Sequence, residues 1–349
     1  MQQLISCASY YGSGSSAVTD LIGEYDGVKS LSDYEFRFIQ DIDGITDLEY
    51  HLVKNHHRHN AGHALKRFLK LSEFNHGTWF NKRYEPFFGG KYLEFTREYV
   101  NALTEFSFTG HWFMDMYDRG RWFYYRKSLE NKLLKRLPLK NKDYMPREQT
   151  YGSHPTEEQF LMATRQYLGK LLMAANPEDK PRLMIDQLLP SSGINQCLRY
   201  FDTDVRVIIV DRDPRDIYLL SKFVWKDGIV PKDPQVFCKW FRYTHESNRD
   251  EAPNPQHVIK LQFEDMLYNY EKEKQRLEYF LGLKAEDHLR PFEGLNPQRS
   301  VHNTQLWKVY ADHEAVSLIE TELAEYLYDF DGISENEVAG IKVENVKRF

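Results

Sequence analysis

Cysteine is scarce in this 349-residue chain, and the three present, Cys7, Cys197 and Cys238, are too few and too scattered for a disulfide framework or a zinc ribbon. Long hydrophobic runs are also missing. The most apolar stretches, such as 205–210, fall far short of the roughly 20 residues a membrane span requires. Met1-Gln2-Gln3-Leu4 lacks a charged leader and an uninterrupted apolar run, so no secretory signal is expected and the cytoplasm is the expected compartment. Positive charge is not in excess: 46 Lys and Arg against 52 Asp and Glu leave a net charge of -6, which argues against a general nucleic-acid binder. No internal repeat or low-complexity tract interrupts the chain.

What remains is 41% apolar and 15% aromatic, enough to bury a full core. Helix-period and strand-like segments alternate at the two ends, while the middle, about 47–181, reads as mostly helical with aromatic and basic loops. Short apolar strands are expected at 4–9, 28–31, 183–189, 205–211 and 258–263, each followed by polar or helix-starting residues. The fold class is therefore expected to be α/β, three layers (α/β/α) around a central, mainly parallel sheet. It is expected as a single domain over 1–349 with a helical insertion at about 47–181. Polar, proline-punctuated residues 138–155 and 250–255 read as connections. A last helix at about 313–328 would set Ile319, Leu323 and Leu327 on one face, and the tail after 332 is polar.

The most informative segment is the first. Leu4-Ile5-Ser6-Cys7-Ala8-Ser9 reads as a strand, Tyr10-Tyr11-Gly12-Ser13-Gly14-Ser15-Ser16 as a glycine-serine loop, and Ala17 onward as a helix. Two glycines let backbone approach phosphate oxygens, Ser15 and Ser16 add hydroxyls, and first-turn N–H groups carry partial positive charge. The loop is not a Walker loop, because that pattern needs a lysine before its Ser/Thr and no lysine occurs before Lys29.

A second anion site is suggested where Val207-Ile208-Ile209-Val210-Asp211 runs into Arg212-Asp213-Pro214-Arg215-Asp216. An arginine at the carboxyl end of a parallel strand is placed to take a phosphate. Together the two segments resemble the sulfotransferase family, whose donor is 3′-phosphoadenosine 5′-phosphosulfate (PAPS). The later run Val258-Ile259-Lys260-Leu261-Gln262-Phe263-Glu264-Asp265-Met266, with Phe280-Leu281-Gly282-Leu283, and Ser300-Val301-His302-Asn303 with Trp307-Lys308 fit the same layout.

The resemblance implies a P-loop nucleoside-triphosphate-hydrolase-like fold and a transferase, of carbohydrate type, that leaves adenosine 3′,5′-bisphosphate and needs no metal. The 5′-phosphosulfate would lie on Gly12, Ser13, Gly14, Ser15 and Ser16, the 3′-phosphate on Arg212 and Ser221, and Asn303 would belong to the segment closing over the nucleotide. Two departures stand out. Gly12 occupies the place of the family's loop arginine or lysine, and Ser221 falls one residue late after Arg212, which turns a helical side chain by about 100°. Arg37, Lys222, Arg215 and Lys308 are the candidates for the missing cation.

Glu35 follows the first loop at the distance where glycan-modifying members carry a glutamate base, and Asp186-Gln187 faces the same edge. The stretch His111-Trp112-Phe113 and 119–127 offers either an acceptor-sugar groove or a core helix. His59 and His63 share a helical face, but no carboxylate spacing completes a metal set. The expected function is sulfuryl transfer to a carbohydrate hydroxyl. A nucleotide kinase or hydrolase, in which 207–211 would end in a magnesium-holding aspartate, and a catalytically inactive binding relative are the alternatives.

Overall fold

A computed structural model describes residues 2–31, 34–111, 115–134, 147–226, 228–246, 254–331 and 333. Seven strands carry its sheets: β1 Gln3–Cys7, β2 Val28–Ser30, β3 Phe106–Gly110, β4 Glu148–Gly152, β5 Arg182–Met184, β6 Val205–Asp211 and β7 Val258–Gln262. Contacts divide the chain into two compact units, one of Met1–Gln40, Phe87–Gly89 and Leu168–Phe349, the other of Asp41–Pro86 and Gly90–Tyr167.

The first unit is α/β, as expected. Its five strands lie in the order β2-β5-β1-β6-β7 and every neighbouring pair is parallel. The near-continuous apolar sequence of β6 follows from burial on both faces. Ile208 and Val210 join Ile5, Cys7, Met184, Ile259 and Leu261 against Val18, Leu21 and Ile22 of the helix Ser15–Gly23 and Leu277 and Leu281 of the helix Tyr270–Leu281. The alternate residues Val205, Val207 and Ile209 point to the opposite face and are buried as well. A second cluster, containing Tyr218, Phe237, Phe241, Val316 and Ile319, ties together the helices Pro214–Leu219, Pro234–Glu246 and His313–Glu322.

Three expectations about extent need correction. The strand at 183–189 stops at Met184, because Gln187 takes the left-handed conformation (φ 56°) and turns the chain. The last helix ends at Glu322 and passes into a 3₁₀ turn, Ala324–Tyr326. Of the connection at 138–155, positions 148–152 are not a loop, since β4 pairs antiparallel with β3 there. Its positions 138–146, positions 250–253 of the other connection, and the tail positions 332 and 334–349 lie outside the described residues.

The second unit is mostly helical, with the β3–β4 ribbon as an addition the periodicity did not reveal. Its helices Ala61–His76, Tyr92–Ala102 and the first part of Glu157–Ala175 share an aromatic core. There Tyr99 and Tyr167 stack at 4.7 Å and their hydroxyls meet Thr164 and Thr96 at 2.7 and 2.9 Å.

Between β1 and its helix, Gly14 has φ 88°, and a Cβ there would fall 2.4 Å from the Phe263 ring. Both backbone and packing therefore require glycine. Gly14→Ala should lower unfolding stability by about 2 kcal/mol or more. Chemical denaturation checks this, and an unchanged midpoint would mean that the loop relaxes freely away from Phe263.

Candidate functional site

β1 occupies the middle of the sheet, and the loop that leaves its carboxyl end enters the helix Ser15–Gly23 directly. Positive φ at Gly12 (76°) and Gly14 (88°) bends the chain so that the helix begins immediately beyond. First-turn N–H groups of a helix have no preceding carbonyl to bind, and so face outward as donors with partial positive charge. Ser15 is half-buried and Ser16 exposed at this end. Ser13 differs: it is buried, and both its N–H and its hydroxyl donate to the Tyr10 carbonyl, at 3.3 and 2.9 Å, so its side chain holds the turn together.

A cleft of about 670 Å³ opens over this loop. Its lining comes from the carboxyl ends of successive strands: Ser9 to Gly12 and Gly14 to Ser16 after β1, Glu35 and Arg37 after β2, Asp186 and Gln187 after β5, Arg212 after β6. Trp225 and Ile229 close one side. Ligands of open parallel sheets collect at this edge. Loop, Glu35 and Arg212, three independent sequence expectations, thus meet on one surface.

Arg212 is 2% exposed. One terminal nitrogen donates to the Gly12 carbonyl at 3.2 Å, the other to the Asn303 carbonyl, and the guanidinium lies 4.4 Å above the Phe263 ring. Its Nε is buried without a hydrogen-bond partner. Burial draws the guanidinium below its ordinary pKa, while Asp216, Glu264 and Asp213 oppose that. The same burial, reinforced by Asp213 and Asp216's other carboxylate neighbour, acts on the acids: Glu264 is pushed up to about 7 and Asp216 well above the usual carboxylate range.

The local sequence explains the helix behind Arg212. Asp213 caps it through the Arg215 N–H at 2.8 Å and Pro214 occupies its first turn, where no N–H is needed. That helix is only six residues long and gives way to a π-helical turn, Leu220–Trp225. Ser221 lies in the turn, 4% exposed and outside the cleft lining. Asn303 is likewise buried, reaching the site through its backbone carbonyl, and its Oδ1 has no partner.

Among the four candidates for the missing loop cation, Arg37 alone lines the cleft. Arg215 is held by Asp213 and Glu320 at 2.7 and 2.9 Å and covers Trp307, and Lys222 is held by Asp312 at 2.6 Å. Lys308 is exposed elsewhere. Glu35 is exposed, 4.0 Å from Arg37. Asp186 is the opposite: 5% exposed, with Oδ1 unpartnered, its pKa is raised to about 7 by burial first and by Glu35 second.

Asp211, the aspartate a kinase would use for magnesium, instead meets His245 at 3.2 Å and lines a different cleft with Gln262 and Asp265. His63 pairs with Asp118 at 3.1 Å, and among the described residues no group of three or more His, Cys, Asp or Glu is arranged to hold a metal. The helix Gly120–Leu134 buries none of its residues, with Trp122 87% exposed, which overturns the core-helix alternative for that stretch. Trp112 and Phe113 lie outside the described residues. Among the described residues no helix is long and apolar enough to cross a membrane.

Sequence reasoning missed Trp225, the last residue of the π-helical turn, and Ile229, which follows it, and a residue-level signal for such a turn does not exist in the spacing.

No protein-family model matches this chain, and no curated protein matches it either. Solved structures with a similar chain course include the sulfotransferase domain of the olefin synthase of Synechococcus PCC 7002, at 13% identity and a TM-score of 0.37, over 97% of this chain and 91% of that one. Sulfotransferase STF9 of Mycobacterium avium is 12% identical with a TM-score of 0.38, over 95% and 77%. Sulfotransferase STF1 of Mycobacterium tuberculosis H37Rv is 11% identical with a TM-score of 0.38, over 93% and 77%. The residues of the cleft, not these distant likenesses, carry the functional reading.

A buried acid whose pKa is raised in the fold holds its proton better folded than unfolded, so it subtracts stability as pH rises from the unfolded value near 4 to the folded value of about 7. Asp186→Asn should therefore raise the melting temperature, by little near pH 4 and by about 5 °C or more above about pH 8. A gain independent of pH, measured by thermal denaturation across that range, would contradict the assignment of the burden to Asp186.

Proposed function

We propose that this protein is a sulfotransferase that moves a sulfuryl group from PAPS to a hydroxyl of a carbohydrate acceptor. The reading rests on one observation: a helix-start loop with two left-handed glycines, a buried arginine with an unpartnered Nε, a second arginine and two carboxylates line a single cleft at the carboxyl edge of a parallel sheet.

In this reading the 5′-phosphosulfate lies on the N–H groups of Gly14, Ser15 and Ser16, and Arg37 supplies the positive charge that Gly12 lacks. Glu35 takes the proton of the acceptor hydroxyl. The acceptor oxygen then forms a bond to sulfur as the bond from sulfur to the phosphate oxygen breaks, and the electron pair stays with the phosphate. Adenosine 3′,5′-bisphosphate leaves as a stable anion, so loop donors and arginines suffice to stabilise the charge that develops. Arg212 holds the loop and directs its remaining N–H at the nucleotide. Ser221 and Asn303, being buried, act on the 3′-phosphate side through the backbone they position. A carbohydrate acceptor suits Glu35, which is exposed at the mouth and accessible to a large substrate.

The kinase reading is disfavoured by the absence of a loop lysine and by Asp211 facing His245. Calorimetry separates the two: adenosine 3′,5′-bisphosphate should bind in the presence of a chelator, and ATP with magnesium poorly. Magnesium-dependent ATP binding together with no binding of the bisphosphate would reverse the assignment.

Glu35→Gln should reduce turnover by roughly 100-fold or more while leaving bisphosphate affinity within about threefold. Parallel loss of binding would make Glu35 part of the binding surface, not the base. For the missing cation, Arg37→Ala should weaken bisphosphate binding by roughly tenfold or more, and unchanged affinity in calorimetry would exclude Arg37 from that role.

A further inference from the structure

The second unit carries an exposed aromatic surface that the transfer chemistry does not use. All five residues of β3 are exposed or half-buried, and Phe106 and Phe108, two apart on one face, are 61% and 51% exposed. A Cβ on Gly152, the cross-strand partner of Phe106, would meet three atoms of the Phe106 ring at 2.4 to 2.8 Å, and one on Gly110 would meet the Phe108 ring at 2.5 Å. Each ring therefore lies over glycine backbone and offers its other side outward. Two large apolar rings held open in this way, with a polar surround, mark a binding surface more than a packing residue.

The surround is polar and rich in imidazole. A depression of about 530 Å³ beside these rings is lined by Arg58 and by His56, His59, His111 and His154. The Arg58 Nε donates to the His59 Nε2 at 3.1 Å, and among the described residues no carboxylate pairs with Arg58. Glu105 is the one acid of the lining, and its Oε1 already accepts the His154 N–H at 2.8 Å. His56 sets its Nε2 3.0 Å from the Ser153 carbonyl and stacks on His154 at 3.7 Å, so that the two rings form a wall continuous with the aromatic floor.

We propose that the second unit binds an acidic oligosaccharide, with sugar rings on Phe106 and Phe108 and carboxylate or sulfate groups on Arg58, His56, His59 and His154. Aromatic faces pack against the C–H side of sugar rings, and a guanidinium with imidazoles provides directional donors for flat or tetrahedral oxyanions. Glu105 is the opposing charge within the lining. The inference stands on this unit alone and is independent of sulfuryl transfer.

The test uses the full chain and a labelled heparin-derived tetrasaccharide, with an uncharged maltotetraose and a single-stranded oligonucleotide of equal charge as competitors. The heparin fragment should bind at least about tenfold more tightly than maltotetraose, and Phe106→Leu and Arg58→Gln should each weaken it by roughly tenfold. Phe106→Leu keeps an apolar cover on Gly152 but no flat face, so loss of binding without loss of thermal stability separates stacking from folding. Binding of adenosine 3′,5′-bisphosphate should be unchanged in both variants, which keeps this result distinct from the fate of the transfer reading. Equal affinity for maltotetraose, tighter binding of the oligonucleotide, or no effect of either substitution would each overturn the proposal.

Discussion

The first unit is organised around a buried cation. Arg212 ties the carbonyl of Gly12 in the first loop to the carbonyl of Asn303, nearly 100 residues further along the chain than the arginine itself, and rests on Phe263. Burying a guanidinium is costly unless charge and hydrogen bonds compensate. Here Asp213, Asp216 and Glu264, all 0% exposed, surround the guanidinium and oppose the lowering of its pKa, and the two carbonyls supply acceptors. The carboxylates are in turn occupied: Asp216 accepts the N–H groups of Gln305 and Leu306 at 3.0 and 2.8 Å, and Glu264 accepts that of Asp213 at 2.9 Å. This network fixes the loop from below. Under the proposed function, a loop fixed in this way holds its backbone N–H groups ready for an anion.

The cleft above inherits its electrostatics from that base. Positive character comes from the helix start, Arg37 and the edge of Arg212, whereas Glu35 and Asp186 oppose it across the same space. A buried acid stands beside an exposed one: the Asp186 pKa is raised to about 7 by burial and by Glu35, while Glu35 itself lies exposed 4.0 Å from Arg37. Two carboxylates in different surroundings can serve different roles in one site. Of the four cations the sequence offered, Arg37, which follows β2, is the one that lines this cleft.

Much of this was legible because it depends on local rules. Parallel strands buried on both faces leave nearly continuous apolar runs, which is why β1, β6 and β7 fall at their expected places. Gly12 and Gly14 marked a loop where backbone can approach an anion, and Arg212 was legible as the residue that follows an apolar strand. The rest depends on non-local events. Nothing near residue 187 announces the positive φ that ends β5 early, and no spacing rule reveals the π-helical turn that buries Ser221 and brings Trp225 to the cleft. Arg212 was read as a phosphate ligand from its position at a strand end. Its service as an internal strut arises from Asn303 and Glu264, which only the fold brings to it, together with its sequence neighbours Asp213 and Asp216. In the second unit, the β3–β4 ribbon escaped notice because a two-stranded pairing across about 40 intervening residues leaves little periodic trace.

The claim that matters most is that a rigid cradle, braced by Arg212, receives the phosphates of the donor nucleotide. The most direct measurement is a titration of ¹⁵N-labelled protein with adenosine 3′,5′-bisphosphate, following the backbone amides of Gly12 to Ala17 and the Nε–H of Arg212. Saturable shifts in the Gly14, Ser15 and Ser16 amides together with the Arg212 Nε–H are the result this account requires. Saturating ligand that leaves those four resonances in place, or shifts a set of amides remote from β1 and β6, would contradict it.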